Sequence, residues 1–237
     1  MKKLIIASTS TLHDGDYLDY LFLELISHFA NCDTILFIPY ARPGGISHDE
    51  YTSKVSIAFK KINKKVVGLH EFSNPIEALK NAQGIFTGGG NTFLLVSQLY
   101  KNNVITTLKE VLNSGIPYLG TSAGSNITGL SMQTTNDMPI TYPPSFETLG
   151  ILPFNLNPHY LDADLQSKHM GETRETRIKE FHAFNNTPVL GLREGSWLDV
   201  AGEEIILKGK LTARLFLQNE AALEIEPETN LNYLGKV

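Results

Sequence analysis

The sequence contains a single cysteine, Cys32, among 237 residues. One thiol excludes an internal disulfide and any metal cluster built from cysteines, because each needs at least two. The absence of disulfides fits a reducing compartment, and the position of Cys32 at the end of a predicted helix suggests a structural residue. We therefore expect a cytoplasmic protein.

Long apolar runs and clusters of positive charge are also missing. The run that follows Lys2 and Lys3 covers only residues 4–7, too short for the core of a signal peptide, and no segment approaches the roughly 20 apolar residues that cross a bilayer. The net charge is −5, without a stripe of Lys or Arg, which argues against nucleic-acid and membrane partners. An acidic ligand would therefore need a local cation.

Short apolar strands alternate with helices through the first half of the chain. The predicted strands span residues 4–7, 34–38, 65–72, 85–87 and 116–120, and the predicted helices span 17–30, 48–62, 75–82 and 91–113. This order predicts right-handed crossovers and a three-layer α/β fold with a mostly parallel sheet between helices. Further on we expect strands at 154–157 and 189–193, a helix at 173–184 and antiparallel hairpins within 197–225. We expect one domain, residues 1–237.

A nucleophile elbow is indicated by Gly120-Thr121-Ser122-Ala123-Gly124, which matches G-x-S-x-G. The motif follows a predicted strand, and 125–130 can continue as a helix, which is the context that it requires. Small flanking residues let the chain reverse tightly and leave the Ser122 hydroxyl exposed. The alternative is that Ser122 only caps the helix.

The glycine run Gly88-Gly89-Gly90 follows another predicted parallel strand. The carboxyl ends of parallel strands share one edge of a sheet, so an N–H of this run, from Gly89 or Gly90, could join that of Ala123 in an oxyanion hole. A phosphate-binding loop or a plain turn is the alternative. No Walker lysine follows and the spacing does not fit G-x-G-x-x-G, which disfavours nucleotide binding.

A serine nucleophile needs a general base and a carboxylate that orients it. Among the seven histidines, His159 is the candidate because it ends a predicted strand, as Ser122 does. Two carboxylates are candidates for the acid. Glu194 closes the strand that ends at Arg193, and Asp137 lies in a loop after the nucleophile helix; a surface charge and a turn residue are the respective alternatives.

The sequence resembles peptidase E, the α-aspartyl dipeptidase family of serine peptidases. The segments that carry this resemblance run in the family's order: Gly88-Gly89-Gly90-Asn91-Thr92-Phe93, Gly120-Thr121-Ser122-Ala123-Gly124-Ser125-Asn126, Thr135-Asn136-Asp137-Met138-Pro139-Ile140, Asn157-Pro158-His159, Gly171-Glu172-Thr173-Arg174 and 191–197.

The resemblance implies a fold like that of the class I glutamine amidotransferases (flavodoxin-like), hydrolysis of Asp-X dipeptides and no metal or organic cofactor. It assigns the nucleophile to Ser122, the base to His159, and Arg174 and Asn91 to substrate binding, with Arg174 on the side-chain carboxylate. The acid stays open between Glu194, which we prefer, and Asp137. A planar guanidinium matches the two oxygens of a carboxylate, which gives the assignment of Arg174 a physical basis.

Two other functions remain open at this point. A related serine hydrolase of other acidic peptides, such as a cyanophycinase-like enzyme that cuts β-aspartyl links, would share the elbow. A binding protein of the same fold that has lost its activity is the second. A glutamine amidotransferase is excluded, because its elbow carries a cysteine where this chain has Ser122. The expected partner is a small acidic peptide, and the sequence leaves self-association into a homo-oligomer open.

Overall fold

The computed structural model describes residues 1–164, 166, 168 and 171–236. Its helices are α1 (Phe22–His28), α2 (His48–Lys60), α3 (Pro75–Lys80), α4 (Thr92–Lys101), α5 (Ile105–Ser114), α6 (Ala123–Asn126) and α7 (Arg174–His182). Its strands are β1 (Lys3–Ala7), β2 (Thr34–Ile38), β3 (Lys65–Gly68), β4 (Gly84–Thr87), β5 (Tyr118–Thr121), β6 (Asn155–Pro158), β7 (Val189–Leu192), β8 (Ser196–Ala201), β9 (Glu204–Gly209), β10 (Ala213–Phe216) and β11 (Leu223–Ile225). His169, one of the seven histidines, lies outside the described residues.

The large sheet has the order β3-β2-β4-β5-β1-β8-β9 within the described part of the chain. Its first five strands run parallel, and β8 and β9 add an antiparallel hairpin beside β1. Ala7 pairs with Thr121, so the ends of β1 and β5 lie side by side. The predicted α/β fold with a mostly parallel sheet is confirmed.

A smaller sheet, with the order β11-β10-β7-β6 among the described residues, carries strands that the sequence analysis did not separate from the large one. β6 and β7 are parallel, and β10 and β11 continue antiparallel from β7. β8 occupies the edge of β1 that β6 or β7 would need to join the large sheet. These two strands therefore pair with each other and with the later hairpin.

Apolar side chains alternate between the two faces of the large sheet, as the pleat requires. Ile5 and Phe37 pack with α1 and α2 on one face. Leu4 and Ile38 pack on the opposite face with α3, α4, α5 and the inner side of the smaller sheet. Each face is thus covered, which stabilises the near-continuous apolar strands that the sequence shows.

Three predicted elements end earlier than expected. β3 stops at Gly68 and not at 72, because the Glu71 carboxylate accepts the Gly68 N–H and closes a 3-10 turn. The helix predicted over 17–30 is reduced to a 3-10 turn followed by α1. The helix after the nucleophile stops at Asn126. The carbonyls of Ile127 and Thr128 accept N–H groups from 149–152 and are therefore not available to continue it.

No helix in the described residues is both long enough and apolar enough to cross a membrane.

His28 is a buried titratable group beneath the large sheet. Its Nε2 lies 3.0 Å from the carbonyl oxygen of Tyr118, and its own carbonyl accepts the Lys3 ammonium. Burial, together with the charge of Lys3, lowers the pKa of His28 to about 3. Protonation of this imidazole is therefore coupled to unfolding.

We predict that His28 makes the protein less stable in mild acid. The pKa is lower in the folded state, so the unfolded chain binds the proton first, and stability present above the unfolded pKa of about 6.5 is lost as pH falls. Between about pH 7 and pH 5 the loss should be about 2 kcal/mol. Urea unfolding of the wild type and His28→Gln at both pH values measures it; an equal loss in the variant contradicts the prediction.

Candidate active site

Ser122 lies between the last residue of β5 and the first residue of α6. Its backbone has φ 55° and ψ −113°, a region that side-chain-bearing residues rarely adopt. Hydrogen bonding holds it there: the Ser122 N–H donates to the Ala7 carbonyl at 3.2 Å, and the Ser122 carbonyl accepts the N–H groups of Ser125 and Asn126 at 2.9 Å each. The tight turn presents the hydroxyl at the carboxyl edge of the sheet.

Glycines surround this turn because backbone atoms approach too closely for any side chain. A Cβ on Gly124 would lie 2.1 Å from the carbonyl oxygen of Thr87, and one on Gly120 would lie 2.6 Å from that of Gly124. A Cβ on Gly89 would lie 2.9 Å from the Cβ of Ser122. The glycine run and the serine turn are therefore in direct contact.

His159 and Glu194 complete a hydrogen-bonded chain with Ser122. The His159 Nε2 lies 2.8 Å from the Ser122 Oγ, and its Nδ1 lies 2.5 Å from Glu194 Oε1. A carboxylate only accepts, so we assign the Nδ1–H to Glu194, which leaves Nε2 to accept the serine proton. The side chains of His159 and Glu194 are 37% and 48% exposed, so a ligand can reach them.

Ser8, just beyond β1, joins the two sheets at this chain. Its hydroxyl donates to the carbonyl of Leu192, the last residue of β7, at 2.6 Å and accepts the His159 N–H at 2.9 Å. The Tyr160 N–H donates to the same Leu192 carbonyl. Sequence reasoning missed Ser8; a polar residue directly after a parallel strand was the available signal.

Three backbone N–H groups next to Ser122 donate to no acceptor in the described part of the chain. They belong to Gly89, Gly90 and Ala123, the positions considered for an oxyanion hole. The two hydrogen bonds accepted by the Ser122 carbonyl orient the Ser122–Ala123 peptide, so that the Ala123 N–H points the opposite way. Donors of this kind can stabilise negative charge on an oxygen bound beside the hydroxyl.

Asp137 forms neither a hydrogen bond nor an ion pair with His159. Its Oδ2 accepts the Thr92 N–H at the start of α4, at 2.7 Å, and the Thr135 hydroxyl at 3.1 Å. Its Oδ1 accepts no hydrogen bond from the described residues. Asn91 uses its side chain within the protein, since Oδ1 caps α4 through the Leu94 N–H and Nδ2 donates to the Met138 carbonyl. A substrate contact by Asn91 remains a prediction.

Arg174 is the first residue of α7 and is half-buried. Burial, followed by the charge of Arg177, lowers its pKa, while the nearby charge of Asp137 raises it. A guanidinium stays protonated in proteins under such shifts. Arg174 forms neither a hydrogen bond nor an ion pair with any residue that the structure describes, which leaves a half-buried cation available for an anion.

Arg193, which precedes Glu194, is in contrast fully paired. Its guanidinium forms two-pronged contacts with Asp162 and Glu224 at 2.8–3.1 Å. Hydrogen bonds from Arg193, and then from Thr212 and Arg214, lower the pKa of Glu224 to about 2, and those from Arg193 also lower the pKa of Asp162. This cluster ties the segment after His159 to the segment that carries Glu194. No sequence pattern predicted this role of Arg193.

No group of three or more His, Cys, Asp or Glu side chains in the described residues is arranged to hold a metal ion.

The known proteins whose sequences resemble this chain are peptidases of one family. A sequence model described as peptidase family S51 matches residues 4–208. The chain is 45% identical to a probable alpha-aspartyl dipeptidase of Drosophila melanogaster, over 98% of this chain and 97% of the relative. It is also 45% identical to a peptidase E of Streptomyces coelicolor, over 98% and 94%.

Two solved structures share the fold. A peptidase from an acI-B1 Actinobacterium superimposes with a TM-score of 0.72 at 16% identity, over 98% of this chain and 96% of its own. A structure described as a peptidase E protein from Listeria monocytogenes EGD-e gives 0.62 at 21% identity, over 88% and 98%. At these identities the likeness concerns the fold alone.

Proposed function

This chain belongs to peptidase family S51, and we propose that it is a serine dipeptidase that hydrolyses the peptide bond after an N-terminal aspartyl residue. The observation that carries the proposal is the hydrogen-bonded chain from Ser122 through His159 to Glu194, beside three N–H groups that have no acceptor among the described residues. The single cysteine supports a cytoplasmic location for this activity.

In the first half-reaction His159 Nε2 takes the proton of Ser122 as the Oγ attacks the scissile carbonyl carbon. The N–H groups of Ala123 and of Gly89 or Gly90 stabilise the negative oxygen that forms. Collapse of this intermediate breaks the C–N bond. The leaving amine receives the proton from His159, and the aspartyl group remains on Ser122 as an ester.

The second half-reaction repeats these roles with water. His159 takes a proton from water as its oxygen attacks the ester carbonyl, and then returns the proton to the Ser122 Oγ as the ester breaks. Free aspartate leaves. Throughout, the Glu194 carboxylate holds the imidazole through the Nδ1–H and stabilises its protonated form.

Arg174 is proposed to bind the side-chain carboxylate of the substrate. It is a half-buried guanidinium without a partner in the described residues, and it lies near enough to Asp137 for the two charges to interact. Bidentate pairing of guanidinium with carboxylate is stronger than a neutral hydrogen bond. In a protein of net charge −5, such a local cation is what an acidic substrate requires.

Asp137 is proposed to bind the substrate's ammonium group and not to act in the triad. Its Oδ1 has no partner in the described part of the chain, and its Oδ2 is held by the Thr92 N–H. A carboxylate in this position would reject peptides whose N-terminus is blocked. It would thereby limit cleavage to the first residue of the substrate.

The activity is tested on Asp-Leu, Glu-Leu, Ala-Leu and β-Asp-Leu with the wild type, Ser122→Ala and the control Ser114→Ala. We expect selective cleavage of Asp-Leu, an unchanged rate in the control, and a loss of several orders of magnitude in Ser122→Ala. Activity within about tenfold of wild type in Ser122→Ala would falsify the nucleophile. Cleavage of β-Asp-Leu alone would indicate a cyanophycinase-like specificity, and no cleavage at all a binding protein.

Glu194→Gln and Asp137→Asn should affect different kinetic constants. Glu194→Gln removes the charge that orients and stabilises the imidazole, so kcat for Asp-Leu should fall at least about 100-fold. Asp137→Asn should mainly raise KM, by about tenfold or more, because a charged contact to bound substrate is lost. Steady-state kinetics of both variants decide between the carboxylates. The opposite pattern would make Asp137 the triad acid.

Arg174→Ala should reduce the preference for Asp-Leu over Ala-Leu by more than about tenfold, since a bidentate charged contact is worth a few kcal/mol. Arg177→Ala is the matched control, because it removes an exposed arginine from the same helix. The ratio of kcat/KM for the two dipeptides is the measurement. An unchanged ratio in Arg174→Ala removes Arg174 from substrate recognition.

A further inference from the structure

We propose that Tyr51 is a positioning residue that holds the Gly89–Gly90 peptide so that its N–H faces the reacting oxygen. This inference rests on the proposed function, because it concerns the oxyanion hole of that reaction. Tyr51 lies in the first turn of α2, is 1% exposed, and donates its hydroxyl to the Gly89 carbonyl at 3.1 Å. No other described residue donates to that carbonyl.

The two donors of the oxyanion hole differ in how they are held. The Ala123 N–H belongs to a peptide whose carbonyl accepts two helical N–H groups. The Gly90 N–H lies in a run of three glycines, which have the greatest backbone freedom of any residue. In the described residues the Gly88 N–H donates to the Ile38 carbonyl and the Asn91 N–H to the Ala41 carbonyl, and these bonds hold the Thr87–Gly88 and Gly90–Asn91 peptides. Among the described residues, only the Tyr51 hydroxyl forms a hydrogen bond with the Gly89–Gly90 peptide itself.

Because the peptide is planar and trans, the contact with Tyr51 also fixes the direction of the Gly90 N–H. The C=O and N–H of one planar peptide point in opposite directions, so a Gly89 carbonyl directed at the buried Tyr51 turns the Gly90 N–H away from the core. Gly89 is also in contact with Ser122, as its missing Cβ would lie 2.9 Å from that of the serine. A flip of this peptide would replace a donor by a carbonyl oxygen beside the negative charge.

The surroundings of Tyr51 fix the position of its hydroxyl. The ring packs edge-on against Phe37 at 4.9 Å, and the Arg42 guanidinium lies 5.0 Å above it. Ser47 and Glu50 form a capping box that fixes where α2 begins. A Cβ on Gly88 would lie 2.4 Å from the Tyr51 hydroxyl oxygen, so the first glycine of the run makes room for this contact.

The test compares Tyr51→Phe with Tyr100→Phe, which removes a hydroxyl that donates to the Glu147 carbonyl at the same 3.1 Å, at the far end of α4. Removal of a whole oxyanion donor costs about 10²–10³ in kcat, so loss of its anchor should cost about tenfold in Tyr51→Phe. KM for Asp-Leu should stay within about twofold, since ground-state contacts are retained. Tyr100→Phe should match the wild type.

Two inhibitors separate positioning from a merely structural role. The aldehyde analogue of aspartate forms a hemiacetal with Ser122 whose oxygen occupies the oxyanion hole, and its Ki should rise about tenfold in Tyr51→Phe. The Ki of aspartate itself, a ground-state ligand, should not change. Melting temperatures are measured for each variant, and assays are run at a temperature at which all variants are folded.

An unchanged kcat and aldehyde Ki in Tyr51→Phe would overturn the assignment, as would equal losses in the binding of aldehyde and aspartate. If Ser122→Ala hydrolysed Asp-Leu at the wild-type rate, the result would contradict the proposed function itself, and with it the role of Tyr51.

Discussion

The hydroxyl of Ser8 joins the two sheets at the point where the candidate triad meets. Ser122 is carried by the large sheet, whereas His159 and Glu194 follow β6 and β7 of the small one. Ser8 is fully buried, donates to the end of β7 and accepts the His159 N–H, so both bonds are shielded from water. Water therefore does not readily replace either hydrogen bond. The two bonds fix the relative position of the sheets at a place where a small displacement would separate the imidazole from the serine.

The same edge carries two backbone conformations that cost free energy. Ser122 and His159 both have positive φ, at 55° and 54°, which costs on the order of 1–3 kcal/mol for each residue. The strand ladders before them and the hydrogen bonds to Ala7 and Ser8 hold the chain in these conformations. Each turn points a reactive side chain out of its sheet and toward the other.

Two arginines near the site differ in whether their guanidinium groups are paired with carboxylates of the protein. Arg193 is occupied by Asp162 and Glu224, and it stabilises the backbone next to Glu194. Arg174 has no such partner in the residues that the structure describes, although Asp137 is close enough to influence its pKa. Charged side chains that are partly withdrawn from water are usually paired, so the contrast supports the proposed contact between Arg174 and a carboxylate of the substrate.

The order of strands and helices, the serine elbow and the candidate base at a strand end were all readable from the sequence, because they depend on hydrophobic periodicity and turn-forming residues a few positions apart. The local pattern did not distinguish Glu194 from Asp137, because one follows a strand and the other lies in a loop, and either place could bring a carboxylate to the site. Tertiary structure decided that Glu194 faces His159. It also separated the small sheet and brought Ser8 and Tyr51 to the site. These are contacts between residues distant in the chain, and they depend on which sheet edges remain free to pair, which no local pattern records.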